Sequence, residues 1–372
     1  MRDFITSAAN SPNSPKQPDT NKRSRSNSPD EFNDYLNDDI LFYKNLDAYE
    51  MINENAKELV TVTREINNLI DLIELGKSYD STKRYNIDLK ILSNLVEPLT
   101  ELNNMIGMES VKQDMVDHIL FHIQKLDLEH CDMMHTIIQG PPGVGKTEVA
   151  KIIGQIYLAM GILSNNKFIK ASRCDLISNY LGQTAKTTQQ IIDSAQGGVL
   201  FIDEVYALGH EEKKDSFSKE CIDTINENLT TKKSSFICII AGYKDDIEKC
   251  FFAYNAGLKR RFPIRFTIDP YSADDLFLIF NKKINDIGWQ IDDSINVEFF
   301  RKNYDNFKFF GGDMEILFSK CKRSHSRRVF MSTNANKKII NLVDLTKGFD
   351  VFKSHQTLNL VPENNEWKNM YN

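Results

Sequence analysis

An eight-residue glycine-rich segment, GPPGVGKT, limits the possible folds of this chain more than any other stretch. Its members are Gly140, Pro141, Pro142, Gly143, Val144, Gly145, Lys146 and Thr147. A short apolar run at 135–139 precedes the segment, and apolar residues at helical spacing follow it over 149–159. In the order strand, glycine-rich loop and helix, successive backbone N–H groups and a helix N-terminus point at one phosphate. The segment therefore predicts a binding site for a nucleoside triphosphate.

Two acidic residues are expected to complete this site. The run VLFI at 199–202 is apolar throughout, which is typical of a parallel strand covered on both faces, and it ends in Asp203 and Glu204. We expect Lys146 to contact the β- and γ-phosphates, and Thr147 and Asp203 to hold Mg²⁺. We expect Glu204 to orient and deprotonate the attacking water.

Other segments extend this pattern along the chain. The segments FIKA at 168–171 and FICIIAG at 236–242 have the length and apolar character of further strands. Arg260 and Arg261 follow without an acidic partner nearby in the sequence. They are either a solvated charge pair on a surface loop or arginines that reach the γ-phosphate held by a neighbouring subunit. Beyond them, amphipathic patterns predict helices at 273–287, 297–306, 314–330 and 342–352.

The first 30 residues predict disorder. They are rich in Ser, Pro and Asn, and so they cannot bury enough apolar surface to offset the entropy cost of ordering. The KRSRSNSP segment within them is either a phosphorylated or nuclear-targeting signal or a solvated tail, and we favour the tail.

Residues 31–95 predict a helical N-terminal region. A heptad-like apolar seam indicates one helix that ends at Gly76, and a second apolar helix follows a polar loop. The pair is either a helical hairpin packed on the rest of the chain, which we favour, or a module that docks a partner. The seam consists of Ile52, Ala56, Leu59, Thr63, Ile66, Ile70 and Ile73, and the second helix contains Leu89, Ile91, Leu92 and Leu95.

Composition excludes several classes of protein. The net charge of −6 argues against a nucleic-acid coat, no apolar run approaches the ~20 residues that span a bilayer, and Met1 opens no signal peptide. His118 and His122 are four residues apart, but no third ligand accompanies them, so we predict no metal site there. The six cysteines form no C-x-x-C pair, which indicates a reducing intracellular compartment: Cys131, Cys174, Cys221, Cys238, Cys250 and Cys321.

Taken in order, these segments resemble the AAA+ ATPases, and among them the CbbX/CfxQ-like and SpoVK-like branch. The resemblance covers about residues 96–350 and rests on GPPGVGKT, NYLGQTAKTT, GGVLFIDEVYAL, FICIIAGYKDDI and NAGLKRRFP. An Asn/Lys/Ile-rich composition is also similar to that of members carried by large DNA viruses. The resemblance implies an α/β fold with a five-stranded parallel sheet between helices and a C-terminal helical lid. We therefore expect a core at 96–268, a lid at 269–352 and a C-terminal tail at 353–372.

The resemblance also implies how the protein works. Family members bind ATP and Mg²⁺, form rings that are usually hexamers, and hydrolyse ATP at sites between subunits. Arg261, or Arg260 with it, resembles the arginine that acts on the neighbouring subunit's nucleotide. The remaining matched positions are an adenine site at Ile106 and Gly107 and a substrate-gripping pore loop at Tyr180, Leu181 and Gly182.

Two positions depart from the family pattern. The lid usually carries a sensor arginine, but Glu315 stands at that position here. The fourth strand ends in Tyr243 where an asparagine is common, and a tyrosine hydroxyl replaces that amide only in part. We therefore expect hydrolysis that is slow or dependent on a partner.

Three functions compete at this point. The first is a ring-forming ATPase that remodels or threads a protein substrate in the cytoplasm. If the protein is viral, the location is a host cell or a virion. The second is an ATP-dependent nucleic-acid motor or loader, although the lid has a single basic stretch, CKRSHSRR at 321–328, to support it. The third is a nucleotide-gated scaffold. We favour the first and expect no membrane partner.

Overall fold

A computed structural model of the chain describes residues 58–126, 133–180, 182–209, 215–233, 235–255, 257–331 and 337–358. From Leu59 onward these residues belong to one compact unit. The predicted disordered tail at 1–30 and residues 359–372 of the predicted C-terminal tail lie outside the described ranges. Within those ranges, no helix has both the length and the apolar character needed to cross a bilayer.

The described residues at 58–126, before the glycine-rich loop, form three helices and one small pair of strands. In chain order these elements are β1 (Leu59–Val60), α1 (Leu69–Lys77), β2 (Arg84–Tyr85), α2 (Leu89–Asn103) and α3 (Glu109–Ile123). Strands β1 and β2 pair in parallel. Helix α2 packs against α1 and against the helix that follows the glycine-rich loop. The second predicted helix is therefore present, and it is longer than its apolar pattern indicates.

The single helix predicted from Ile52 to Gly76 is wrong over 59–68, where the chain forms β1 and a loop. Ile52 and Ala56 lie outside the described residues. Asn68 starts α1, since its side chain accepts a hydrogen bond from the Asp71 backbone N–H, which is a strong helix-start signal. The preceding VTVT segment is β-branched and favours extended backbone. The heptad spacing there is coincidental.

Gly76 lies in the last turn of α1 and does not end the helix. A Cβ atom at this position would be 2.4 Å from the backbone oxygen of Leu92 and 2.8 Å from a side-chain carbon of Val96. The glycine therefore allows α1 and α2 to approach each other closely.

The core is a sheet of five parallel strands in the order β4-β5-β6-β3-β7. All of its pairings are parallel. This is the predicted α/β fold. The elements in chain order are β3 (Thr136–Gln139), α4 (Lys146–Ala159), β4 (Phe168–Ala171), α5 (Arg173–Leu176), α6 (Thr184–Ser194), β5 (Val199–Ile202), α7 (Ser216–Thr231), β6 (Ile237–Gly242), α8 (Lys244–Asp246) and β7 (Ile264–Thr267).

The three inner strands, β5, β6 and β3, are buried on both faces because alternate side chains enter two different hydrophobic clusters. On β5, Val199 and Phe201 pack in the cluster shared with α2, α3 and α4, whereas Leu200 and Ile202 pack in the cluster shared with α6 and α7. This alternation is the strand period of two, and it explains why these segments read as continuous apolar runs in the sequence. Parallel strands also bring their carboxyl ends to one edge, where the glycine-rich loop begins.

The region predicted to be the lid is mainly helical, with elements from Ala273 to Leu358. Its elements are α9 (Ala273–Asn285), β8 (Gln290–Ile291), α10 (Val297–Lys302), α11 (Phe310–Val329), β9 (Ile339–Ile340) and α12 (Leu342–Leu358). The four predicted helices are present, with shifted ends. Helix α11 begins before position 314, and α12 continues past position 352 into the predicted tail.

Candidate functional site

The glycine-rich loop has the backbone shape that a phosphate cradle requires. Gly143 and Gly145 have positive φ angles of 73° and 89°, in the left-handed region that favours glycine. A Cβ on Gly143 would meet the backbone oxygen of Phe309 from the lid. Helix α4 begins at Lys146, directly after the loop, so its N-terminal N–H groups face the same space. The local geometry thus fits an anionic ligand.

Lys146 is buried at the base of this loop. Its Nζ donates hydrogen bonds to the backbone oxygens of Gly140, at 3.0 Å, and Pro141, at 2.9 Å. Burial lowers the pKa of the Lys146 ammonium, and the nearby carboxylates of Glu204 and Asp203 oppose that shift. An ammonium held by two carbonyl groups is ready to exchange them for phosphate oxygens.

Thr147 and Asp203 meet at the carboxyl edge of the sheet. The Thr147 hydroxyl donates to Asp203 Oδ2 at 3.1 Å. The Nζ atom of Lys170, on β4, is 2.8 Å from the same oxygen. One hydroxyl and one carboxylate are oxygen ligands of the kind that Mg²⁺ prefers, and the Lys170 ammonium occupies the place of a cation on the carboxylate. The residues present therefore fit a magnesium ion.

Glu204 follows in a conformation that is unusual for a residue with a side chain. Its φ of 50° lies in the left-handed region, and such strain concentrates at functional sites. Burial raises the pKa of Glu204, Lys146 lowers it, and Asp203 and Asp246 raise it further. A carboxylate with a raised pKa accepts a proton more readily, which is the property a general base needs.

A cavity of about 410 Å³ lies between the loop and the lid, in the size range of small-molecule sites. Ile106, one half of the predicted adenine site, lines it, whereas Gly107 packs against the lid: a Cβ added there would be 3.2 Å from the ring of Tyr271. Glu315 also lines the cavity, and its carboxylate is 3.3 Å from the Nζ of Lys283. The position expected for a sensor arginine therefore carries a paired carboxylate.

Arg260 and Arg261 lie at the edge of the sheet opposite to the glycine-rich loop. Both precede β7, whose amino end is separated from the loop by the length of a strand, about 13 Å for four residues. Arg261 donates to Thr230 Oγ1 at 2.6 Å and to the Gly257 backbone oxygen at 2.7 Å. Arg260 is exposed and forms no hydrogen bond or ion pair with another described residue. The structure does not bring these arginines to Lys146.

The predicted pore loop lies between α5 and α6. The side chain of Tyr180 is 71% exposed, and Gly182 has a positive φ of 74°. Leu181 lies outside the described residues. An exposed aromatic side chain beside a glycine is available to contact a partner.

His118 and His122, which are four residues apart in the sequence, contact an aromatic ring and a backbone oxygen. The His118 ring lies against Tyr157, with ring centroids 5.6 Å apart, and His122 Nε2 is 3.4 Å from the backbone oxygen of Met160. Across the ranges that the structure describes, no cluster of three or more potential metal-binding side chains is present.

Sequence reasoning missed two features of this site. Lys170 contacts Asp203, and its place on β4 beside Phe201 of β5 depends on the strand order. Tyr206 stacks on Tyr243, with ring centroids 5.4 Å apart, next to Lys146. Each tyrosine follows a predicted strand end, which places both at the carboxyl edge of the sheet but does not predict their stacking.

The chain is similar to one protein family and to several known proteins. Residues 136–269 match the model of the ATPase family associated with various cellular activities (AAA). The chain is 45% identical over 311 residues to a cfxQ-like protein, R730, of Acanthamoeba polyphaga mimivirus, an alignment that covers 82% of this chain and 76% of that protein. It is 36% identical over 197 residues to stage V sporulation protein K of Bacillus subtilis (strain 168), covering 51% and 61% of the two chains. Among solved structures, the AAA domain of FIGL-1 in complex with ADP aligns with a TM-score of 0.47 at 16% identity, covering 69% of this chain and 88% of that one.

Proposed function

The chain belongs to the AAA+ ATPase family, in its CfxQ-like branch, and we propose that it hydrolyses ATP in a ring and uses the energy to remodel a protein substrate. One observation carries the proposal. Lys146, Thr147 and Asp203, which come from two separated segments, meet at the carboxyl edge of the sheet, with Glu204 next to them.

Each residue has a separate task in this proposal. The backbone N–H groups of the glycine-rich loop and the Lys146 ammonium bind the β- and γ-phosphates of ATP. Thr147 and Asp203 hold Mg²⁺, which supplies positive charge next to the phosphates. Glu204 accepts a proton from the attacking water, and the burial that raises its pKa favours this transfer. The adenine base occupies the cavity lined by Ile106.

Arg260 and Arg261 lie at the opposite edge of the sheet from Lys146, so they supply no charge to the γ-phosphate side of their own subunit's site. In the ring that we propose, this edge of one subunit faces the nucleotide of the next. Such head-to-tail contacts close into rings when the rotation between copies allows it. We propose that these arginines act on the neighbour's ATP. The oligomer is therefore part of the active site.

The proposed substrate is a polypeptide gripped by Tyr180. Its exposed ring beside Gly182 supports this choice. The nucleic-acid alternative has less support, because the basic stretch of the lid is partly structural: His325 is buried and Arg328 pairs with Asp344 at 2.8 Å. Cys174, Cys221, Cys238 and Cys321 are free thiols, which favours the reducing interior of a cell.

The decisive experiment measures Mg²⁺-dependent ATP hydrolysis across a dilution series of the full chain. We expect the rate of ATP hydrolysis per subunit to rise with protein concentration. Ring formation, measured by light scattering, should rise in parallel. Glu204→Gln should still bind ATP but lose hydrolysis by roughly 10²-fold or more. Hydrolysis at a rate that is independent of dilution by a monomer would contradict the ring.

Two variants separate the alternative functions. Tyr180→Ala should abolish remodelling of a bound protein while rings still form, and unchanged remodelling would contradict threading. A nucleic-acid motor would instead show binding that falls steeply with salt. A scaffold would keep its biological activity in the Glu204→Gln variant.

A further inference from the structure

Two tyrosines from separate segments stack beside the ammonium of Lys146. Tyr206 follows the Asp203–Glu204 pair, and Tyr243 follows the last residue of β6. Their ring centroids are 5.4 Å apart and the ring planes differ by 21°. The Lys146 Nζ is 5.0 Å from the centroid of Tyr243, within the distance at which a ring face attracts a cation.

We propose that the Tyr206–Tyr243 pair positions Lys146 for the phosphates of the nucleotide, and that Tyr243 acts through the face of its ring. This inference rests on the proposed nucleotide site and adds two positioning residues to it. It also reassigns Tyr243, since the sequence alone suggests that its hydroxyl stands in for an asparagine amide.

The aromatic ring of Tyr243 can position Lys146 because it takes up none of the hydrogen bonds of the lysine ammonium. The ammonium has three N–H donors, and two hydrogen bonds already go to the backbone oxygens of Gly140 and Pro141. A phosphate must take over some of these donors. The ring of Tyr243 can hold the ammonium before and after that exchange, so the side chain keeps its place while its hydrogen-bond partners change. Attraction to the ring also offsets part of the cost of burying the charge.

The stack on Tyr206 fixes the position of the Tyr243 ring. The Tyr243 hydroxyl forms no hydrogen bond with another described residue, so stacking on Tyr206 is what orients the side chain. Gly242 makes room for the stack, since a Cβ there would be 2.9 Å from Cδ1 of Tyr206. The backbone of Gly242 also accepts a hydrogen bond from the Gly140 N–H at 3.3 Å. The stack is thereby tied to the start of the glycine-rich loop.

The test compares the equilibrium binding of a fluorescent ADP analogue to variants of the full chain. Tyr243→Phe keeps the ring and should bind within about twofold of the wild type, whereas Tyr243→Leu should bind roughly 3- to 30-fold more weakly. Tyr206→Leu should weaken binding by a smaller factor, because the Tyr243 ring remains but loses its support. Tyr79→Leu is the matched control, since Tyr79 pairs with Tyr85 in the N-terminal region and should leave binding unchanged.

The outcomes separate the possible roles. Equal losses in Tyr243→Phe and Tyr243→Leu would assign the effect to the hydroxyl and overturn the inference, as would wild-type binding by Tyr243→Leu. A wild-type chain that binds no ADP would overturn the proposed function itself. Thermal unfolding checks that each variant folds. If the leucine variant does not, Tyr243→Met replaces it, with the same expected loss.

Discussion

Lys170 and Asp203 form an ion pair, with 2.8 Å between Nζ and Oδ2, on the oxygen that also accepts the Thr147 hydroxyl at 3.1 Å. The Lys170 side chain is half-exposed and lies over the ring of Phe201. A protein cation thus neutralises the carboxylate that we propose for Mg²⁺. An ion that binds this carboxylate competes with the Lys170 ammonium for its negative charge.

Removing this competitor should lower the Mg²⁺ concentration that the site requires. For Lys170→Met we expect half-maximal Mg²⁺-dependent binding of a fluorescent ADP analogue at about two- to fivefold lower Mg²⁺, since a partly exposed ion pair is worth up to ~1 kcal/mol. Lys170→Arg keeps the pair and Lys167→Met removes a positive charge from the other end of β4, so both should resemble the wild type. A higher Mg²⁺ requirement in Lys170→Met would show that the lysine assists the ion.

The buried imidazole of His135 should make stability depend on pH. Burial lowers the pKa of His135 to about 4, although a hydrogen bond to the Leu229 backbone oxygen opposes the shift. Above pH ~6.5 the ring is neutral in both states, whereas between pH ~6.5 and pH ~4 only the unfolded state binds the proton. The free energy of unfolding should therefore fall by about 3 kcal/mol as the pH is lowered from ~6.5 to ~4.

Chemical denaturation at several pH values checks this expectation. His135→Gln is the comparison, because its amide can donate to Leu229 and accept from the Cys238 N–H, as the imidazole does, but does not titrate. Carboxylates contribute to the pH dependence of both proteins, so the difference between their slopes isolates the histidine. Identical slopes would contradict the assignment.

The segments of the proposed nucleotide site could be predicted because each has a local sequence pattern. The glycines and Lys146 lie in one continuous loop, and Asp203 follows a strand whose apolar run identifies it. The contact between Lys170 and Asp203 could not be predicted in the same way. It depends on β4 pairing with β5 in a register that opposes Lys170 to Phe201, which neighbouring residues do not encode. The position of Tyr206 against Tyr243 likewise requires the packing of two separate loops.

The N-terminal region shows where periodicity misleads. Apolar spacing continues through 59–68, yet the helix begins only after Asn68, which caps it. In this stretch local hydrogen bonding and β-branched residues outweigh a seven-residue repeat. The lid helices are easier to predict because each carries its own amphipathic pattern. The domain boundaries at 95/96 and 268/269 stay predictions.

A buried ionic cluster should hold the last two long helices of the lid together. Asp344 of α12 accepts hydrogen bonds from Arg328 and from His325 Nδ1, both on α11. Burial raises the pKa of Asp344. The hydrogen bonds from Arg328, His325 and the Asn341 N–H together lower it by more, so the net shift of the pKa is downward. The cluster therefore favours the ionised carboxylate.

Asp344→Asn should destabilise the protein by about 3 kcal/mol, because it removes the charge partner of a partly buried arginine. Asp350→Asn, on the exposed side of the same helix, should change stability by less than about 0.5 kcal/mol. Urea denaturation of both variants measures the difference. Equal effects would mean that the cluster contributes no more than a surface charge does.

The placement of Arg260 and Arg261 predicts that two inactive variants restore each other. A chain with both arginines replaced by alanine keeps Lys146 and Glu204 but cannot act on its neighbour, and Glu204→Gln keeps the arginines but lacks the base. Each alone should lose most of its hydrolysis, since an arginine supplied in trans is worth roughly 10³- to 10⁵-fold in GTPases.

In an equal mixture, a productive site needs two different neighbours. One subunit lacks Arg260 and Arg261 but has an intact Glu204, and the Glu204→Gln subunit beside it supplies the two arginines. If the copies mix at random in a closed ring, about one quarter of the sites meet both conditions, so the mixture should reach about one quarter of the wild-type rate. Mass measurement of differently tagged copies establishes that mixed rings form. Mixed rings without hydrolysis would mean that the arginines serve the chain that carries them, or assembly alone.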